Sequence, residues 1–85
     1  MPIISMFYGI VVKLNTKEHN PPHVHAYYAG QEASFDFNGN VLVGGLPNNK
    51  ETLMKAWIEI HRDELLLNWE LAQSREKILK IDPLK

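Results

Sequence analysis

Glycine and proline are distributed so unevenly that they divide the chain before any other feature is considered. All five glycines and four of the five prolines lie at or before position 47, and Pro83 is the one exception. From Asn48 to about Ser74 the residues are good helix formers with no breaker among them. The preceding half is rich in β-branched and aromatic residues and is cut by turn signals. Strands followed by a helix predict an α+β fold, and 85 residues suffice for a single domain spanning 1–85.

The pattern predicts a three- or four-stranded antiparallel meander with a long C-terminal helix, or two short ones, packed on one face. A first strand is expected over about 3–14, with Met6, Tyr8, Ile10, Val12 and Leu14 on one face and Phe7 and Val11 on the other. Pro21 and Pro22 cannot donate ladder hydrogen bonds, so the stretch before them reads as a loop. Further strands follow at about 23–28, 31–37 and 41–43, separated by Ala29-Gly30 and by Asn38-Gly39-Asn40. Asn48 and Glu51 have the spacing of a capping box before a helix over about 49–74. The basic residues of 75–85 read as a solvated tail, and whether the helix runs unbroken through 61–64 stays open.

The sequence His19-Asn-Pro-Pro-His-Val-His-Ala-Tyr-Tyr28 holds three of the four histidines. A two-residue turn at Ala29-Gly30 would set Tyr27 opposite Glu32, His25 opposite Ser34 and His23 opposite Asp36. Side chains alternate across a strand, so these six share one face, while Val24, Ala26, Tyr28, Ala33, Phe35 and Phe37 occupy the other. Asp36 could then fix a tautomer of His23 or share a metal ion with it. Glu18 and His19, on the preceding loop, could swing over the same face. His19, His23 and His25 with a carboxylate would supply the ligand types that bind Zn²⁺ or another divalent cation. A plain solvated sheet face is the structural alternative.

The helix carries a second polar group. Leu53, Trp57, Ile60, Leu67 and Leu71, continuing round to Met54, Ile58, Leu65 and Trp69, form an apolar arc, but His61, Glu64 and Asn68 lie within it or against it. Buried polar side chains need partners, so this stripe must meet the sheet, itself or a groove. His61 and Glu64 can pair directly.

Bulk composition narrows the chemistry. With no cysteine, disulfides, thiolate ligands and thiol nucleophiles are excluded. A net charge of −1 gives no overall attraction to nucleic acid or anionic lipid. The apolar N-terminus lacks a basic leader and is too short to cross a bilayer, so a soluble, cytoplasmic protein is expected.

The segments "MPIISMFYGI", "HNPPHVHAYY", "GGLP" and "HRDELLLNWELA" resemble the small bacterial proteins classed as domain of unknown function 4160. The resemblance extends from Met1 to about Leu84. It implies a prokaryotic protein, often encoded beside another small protein in a toxin–antitoxin-like pairing, and it implies no particular reaction.

Three functions follow as expectations. The favoured one is an interaction module for a small partner encoded nearby, using the histidine-bearing hairpin or the edge of the short fourth strand. Its binding residues would be His19, Glu32, Ser34, His61, Glu64 and Asn68. The second is a nuclease-like toxin with His23 and His25 in acid–base roles, Asp36 orienting one imidazole, Tyr27 donating to a phosphate and Lys13 or Lys17 neutralising charge. The acidic balance disfavours nucleic acid as partner, and whether the protein is an enzyme stays open. The third is a divalent-metal protein with His19, His23 and His25 as ligands; otherwise no cofactor is implied.

Overall fold

A computed structural model describes residues 2–16 and 18–85. Five strands form one antiparallel meander in chain order: β1 (Ile3–Phe7), β2 (Ile10–Lys13), β3 (His23–Tyr28), β4 (Gln31–Asp36) and β5 (Val41–Gly44). Two helices follow, α1 (Asn48–Ile60) and α2 (Arg62–Gln73). The fold is α+β, with one strand more than the largest number expected. No helix among the described residues is long and apolar enough to cross a membrane.

The extra strand arises inside the stretch expected as one strand over 3–14. Tyr8 and Gly9 both take positive φ, 49° and 81°, which closes a two-residue hairpin and pairs Phe7 with Ile10. Ala29 and Gly30 repeat this geometry between β3 and β4, with φ of 47° and 82°. The first turn, with a bulge between Ile3 and Ser5, resets the alternation. Ile4, Ser5 and Phe7 are buried, whereas Met6 and Tyr8, expected on the same face as Ile10, are exposed.

The β3–β4 register is the expected one, with His23 opposite Asp36, His25 opposite Ser34 and Tyr27 opposite Glu32. Its inner face contributes Val24, Ala26, Ala33 and Phe35 to the core, where they join Ile10, Val12, Leu14, Met54, Trp57, Ile58 and Leu65. The Phe7 and Trp57 rings meet at 5.4 Å.

The helical stretch is two helices because His61, at φ −110° and ψ 21°, leaves helical geometry. Ile60 and Leu67, placed in the apolar arc, are exposed, because the buried residues of both helices (Met54, Trp57 and Ile58, then Leu65, Asn68, Trp69 and Ala72) occupy only the other side of that arc. The expected capping box does not form either. Pro47 is the N-cap, and Glu51 Oε2 instead accepts the Leu46 backbone N–H at 3.0 Å.

Residues 75–85 are no solvated tail. Ile81 is buried and donates its N–H to the Ile4 carbonyl, which covers the outer edge of β1. Asn68, 1% exposed, grips Leu79 from both sides, its Nδ2 donating to the Leu79 carbonyl at 2.8 Å and its Oδ1 accepting the Leu79 N–H at 3.0 Å. Trp57 Nε1 donates to the Asp82 carbonyl at 2.8 Å. Side chains of both helices thus pin the C-terminal segment through its backbone.

Candidate functional site

The turn at Ala29-Gly30 puts His23, His25 and Tyr27 on the outer face of β3, and the loop between β2 and β3 folds back over that face. Two contacts set the loop's path. Asn15 Nδ2 donates to Glu18 Oε1 at 2.8 Å, and Gln73 Nε2, at the end of α2, donates to the Glu18 carbonyl at 3.2 Å. Between them they turn the Glu18 carboxylate inward onto the histidines. His19, its neighbour, is exposed.

Glu18, His23 and His25 each offer one ligand atom, and these atoms lie within 4.8 Å of one another. Glu18 Oε2 stands 3.2 Å from His23 Nε2, and Glu18 Oε1 stands 3.6 Å from His25 Nε2. Tetrahedral coordination at about 2.0–2.1 Å separates adjacent ligand atoms by about 3.3 Å, close to both carboxylate–imidazole spacings, although these run to different oxygens of Glu18.

The opposite ring nitrogens decide the protonation pattern. His23 Nδ1 lies 2.7 Å from the Pro21 carbonyl, which can only accept, so Nδ1 carries the hydrogen. In neutral His23 the Nε2 lone pair then faces the Glu18 oxygen, acceptor against acceptor. A proton or a metal cation between them removes that conflict. His25 Nδ1 is 3.2 Å from Ser34 Oγ and 3.7 Å from Glu32 Oε2, which leaves Nε2 as its inward nitrogen. That Nε2 is buried without a hydrogen-bond partner among the described residues, on a side chain 15% exposed. Outer-shell hydrogen bonds on the far nitrogen are how metal-binding imidazoles are oriented.

Glu18 is held below the ordinary carboxylate range. The Asn15 hydrogen bond lowers it most; burial opposes this, and His23 and His25 add to the lowering. The carboxylate is therefore ionised, as a ligand must be. The Tyr27 phenol is pushed up, first by burial and then by the Glu32 carboxylate. Packing completes the frame, with the His23 ring 5.5 Å from Trp69 and 5.1 Å from His25.

Asp36 sits opposite His23 as expected, yet its carboxylate does not orient the imidazole. Oδ1 accepts the N–H groups of Asn38 and Asn40 at 2.9 and 2.8 Å, and Oδ2 accepts Asn40 Nδ2 at 3.2 Å. It caps the turn into β5. Burial raises its pKa, but these donors, with the Gly39 N–H, outweigh burial and hold it below the ordinary value. Lys13 lies opposite His25, with its ammonium 4.9 Å from the Tyr27 ring centroid. Lys17 lies outside the described residues.

The helical group stands apart from this site. His61 Nδ1 contacts Glu64 Oε1 at 2.5 Å, its ring lies 5.5 Å from Trp57, and Asn68 holds the C-terminal segment. Sequence reasoning placed Glu18 and His19 alike near the sheet face. The signal that separates them, Asn15 at i−3 and Gln73 on α2, becomes visible only with the fold.

A second surface feature is the free edge of the sheet. Among the described residues, β5 pairs with β4 on one side and with no strand on the other. Its sequence Val-Leu-Val-Gly has no charge or proline, and Val43 is 69% exposed.

Comparison with known families matches residues 9–70 to the one described as Domain of unknown function (DUF4160). The matched span holds the three converging residues and both helical clamps, and is narrower than the resemblance from Met1 to about Leu84. No curated protein and no solved structure matches the chain.

Proposed function

Because the chain belongs to the DUF4160 family, whose description assigns no activity, we propose a function from its residues alone: it is a small protein that binds a divalent cation of the zinc class through Glu18, His23 and His25. The observation that carries this reading is the convergence of two imidazole Nε2 atoms on one carboxylate, each imidazole anchored at Nδ1 by a separate partner. Two nitrogens and one carboxylate oxygen favour zinc or a neighbouring transition metal over calcium or magnesium, which prefer all-oxygen sites. Three protein ligands leave a coordination position for solvent, the arrangement of reactive rather than purely structural zinc sites. His19 takes no part as a ligand in this reading, and Glu18 takes its place.

The test is zinc titration of the metal-free protein by calorimetry, alongside thermal unfolding. Zinc at a hundredfold excess over its Kd would add about 2.7 kcal/mol of stability. For a domain of this size that raises Tm by about 10–20 °C. Replacing Glu18, His23 and His25 together with Gln, Ala and Ala removes the saturable heat and the Tm shift while the far-ultraviolet spectrum stays folded. Wild-type protein that shows no saturable zinc binding ends this reading.

A second reading has its own observation, the uncapped and apolar outer edge of β5. Exposed edges are normally blunted, as β1 is by the C-terminal segment, and an unblunted edge accepts an extended segment of another chain. On this reading the protein is an interaction module whose partner, a small protein encoded nearby in a toxin–antitoxin-like pair, contributes an apolar strand to β5. Val43→Lys would abolish co-purification of that partner without changing Tm, and undiminished co-purification would discard the edge as the contact.

A further inference from the structure

We propose that the cation held by Glu18, His23 and His25 works with the ammonium of Lys13 to bind a tetrahedral oxyanion, the phosphoryl group of a substrate. The inference rests on the metal-binding reading and names what the open coordination position faces.

Lys13 is the cross-strand partner of His25, so its side chain leaves the sheet on the same outer face. Its ammonium is held over the Tyr27 ring, 4.9 Å from the centroid. Tyr27 follows His25 by two residues on that face. No carboxylate among the described residues pairs with Lys13; the ion pairs join His23 and His25 to Glu18, His25 to Glu32, His61 to Glu64 and Arg62 to Glu59. A cation–π contact fixes the position of an ammonium without neutralising it. Lys13 is therefore a placed positive charge on the face that carries the site.

The charge balance makes anion binding conditional on the metal. With neutral imidazoles, Glu18, Glu32 and Asp36 against Lys13 leave the face at −2, which repels an anion. A divalent cation brings it to zero and supplies a second positive centre besides Lys13, while the Asp36 carboxylate stays committed to its turn. A phosphoryl group suits two such centres. Its oxygens point in different directions, so one can coordinate the metal while another accepts from the ammonium, and lysine serves phosphate well as a point charge. A carboxylate carries a single charge, which the metal alone satisfies.

Cobalt(II) replaces zinc for the test, because its visible absorption reports the ligands around it. Cobalt is titrated into wild type and Lys13→Met, and then inorganic phosphate, or acetate as the control, is added to each. The expected result is the same cobalt spectrum in both proteins. Phosphate then shifts the wild-type spectrum saturably, about tenfold or more weaker in Lys13→Met, while acetate affinity is equal in the two. A spectrum that phosphate leaves unmoved, or moves equally in both proteins, overturns the Lys13 site and leaves metal binding standing. If cobalt produces no saturable spectrum in wild type, the metal reading fails and takes this inference with it. The cobalt spectrum of Lys13→Met also reports that the variant is folded at the site.

Discussion

The helical group of His61, Glu64 and Asn68 and the sheet group of Glu18, His23 and His25 are made of nearly the same side chains. They differ in how much of their bonding capacity the fold consumes. Asn68 uses its amide on both sides of Leu79, and His61 turns Nδ1 to Glu64 over the face of Trp57. On the sheet, the far nitrogen of each imidazole is occupied, while the two Nε2 atoms face one carboxylate. One group closes upon the protein, and the other leaves converging acceptors at a common point. Residue type alone, then, does not separate a clamp from a site; unspent lone pairs do.

The comparison breaks most readily at the ligands. His25→Ala is expected to weaken zinc binding by more than about 100-fold, since even outer-shell changes cost about 10–100-fold. In metal-free protein its Tm should fall only modestly, because Nε2 has no hydrogen-bond partner among the described residues and the loss is confined to the Nδ1 contact with Ser34 and the packing on His23. Calorimetry and thermal unfolding of the same samples check both halves. A large fall in metal-free Tm would make His25 a structural residue like Asn68.

Asn68→Ala inverts that pattern. It removes two hydrogen bonds and leaves the Leu79 N–H and carbonyl without their partner, at a cost of about 1–3 kcal/mol. Urea unfolding should register the loss, and hydrogen exchange should rise at Leu79 and Ile81, with zinc affinity unchanged. Loss of zinc binding in a variant that remains folded would show that the two groups are coupled.

The sheet group was the more legible of the two in the sequence, for a definite reason. A two-residue turn fixes hairpin register, and alternation then assigns every side chain of β3 and β4 to a face. What local pattern cannot supply is contact between distant segments. Choosing Glu18 over His19 depends on Asn15 and on Gln73, 55 residues away. The docked C-terminal segment depends on Asn68 and Trp57 meeting backbone groups, which carry no sequence signature. The division of 3–14 into β1 and β2 was concealed by Tyr8, a bulky residue at positive φ ahead of Gly9 in an unbroken apolar run. Ile60 and Leu67 are exposed because the apolar arc read from the sequence is wider than the face the fold buries, which Asn68 and Ala72 share with Trp57 and Leu65.

Smaller effects sharpen the boundary of the site. Ser34→Ala removes the hydroxyl at 3.2 Å from His25 Nδ1 and should weaken zinc binding about tenfold, the low end of an outer-shell loss. Global stability should be little affected, and calorimetry on the variant separates this from a null effect. Unchanged affinity would transfer the orienting role to Glu32, at 3.7 Å from the same nitrogen.

The least effect at neutral pH is expected from Asp36→Asn, and it decides whether the register partner of His23 belongs to the site. The Asp36 carboxylate is committed to the turn through Asn38 and Asn40, so zinc affinity should stay within about twofold of wild type, well short of an outer-shell loss. Its signature should lie instead in acid. The folded pKa sits below the ordinary value of 3.8, so the unfolded chain takes up the proton more readily than the folded one. The contribution to stability is then fully present above pH 3.8 and disappears as pH falls through the folded pKa. Wild type should lose stability over that window more steeply than Asp36→Asn, and the two curves should draw together at the acid end. Urea unfolding of metal-free protein between pH 5 and pH 2 resolves the difference, since such linkage develops over about that range. Parallel curves would mean that the turn hydrogen bonds do not favour the ionised form, and a tenfold loss of zinc affinity would return Asp36 to the site.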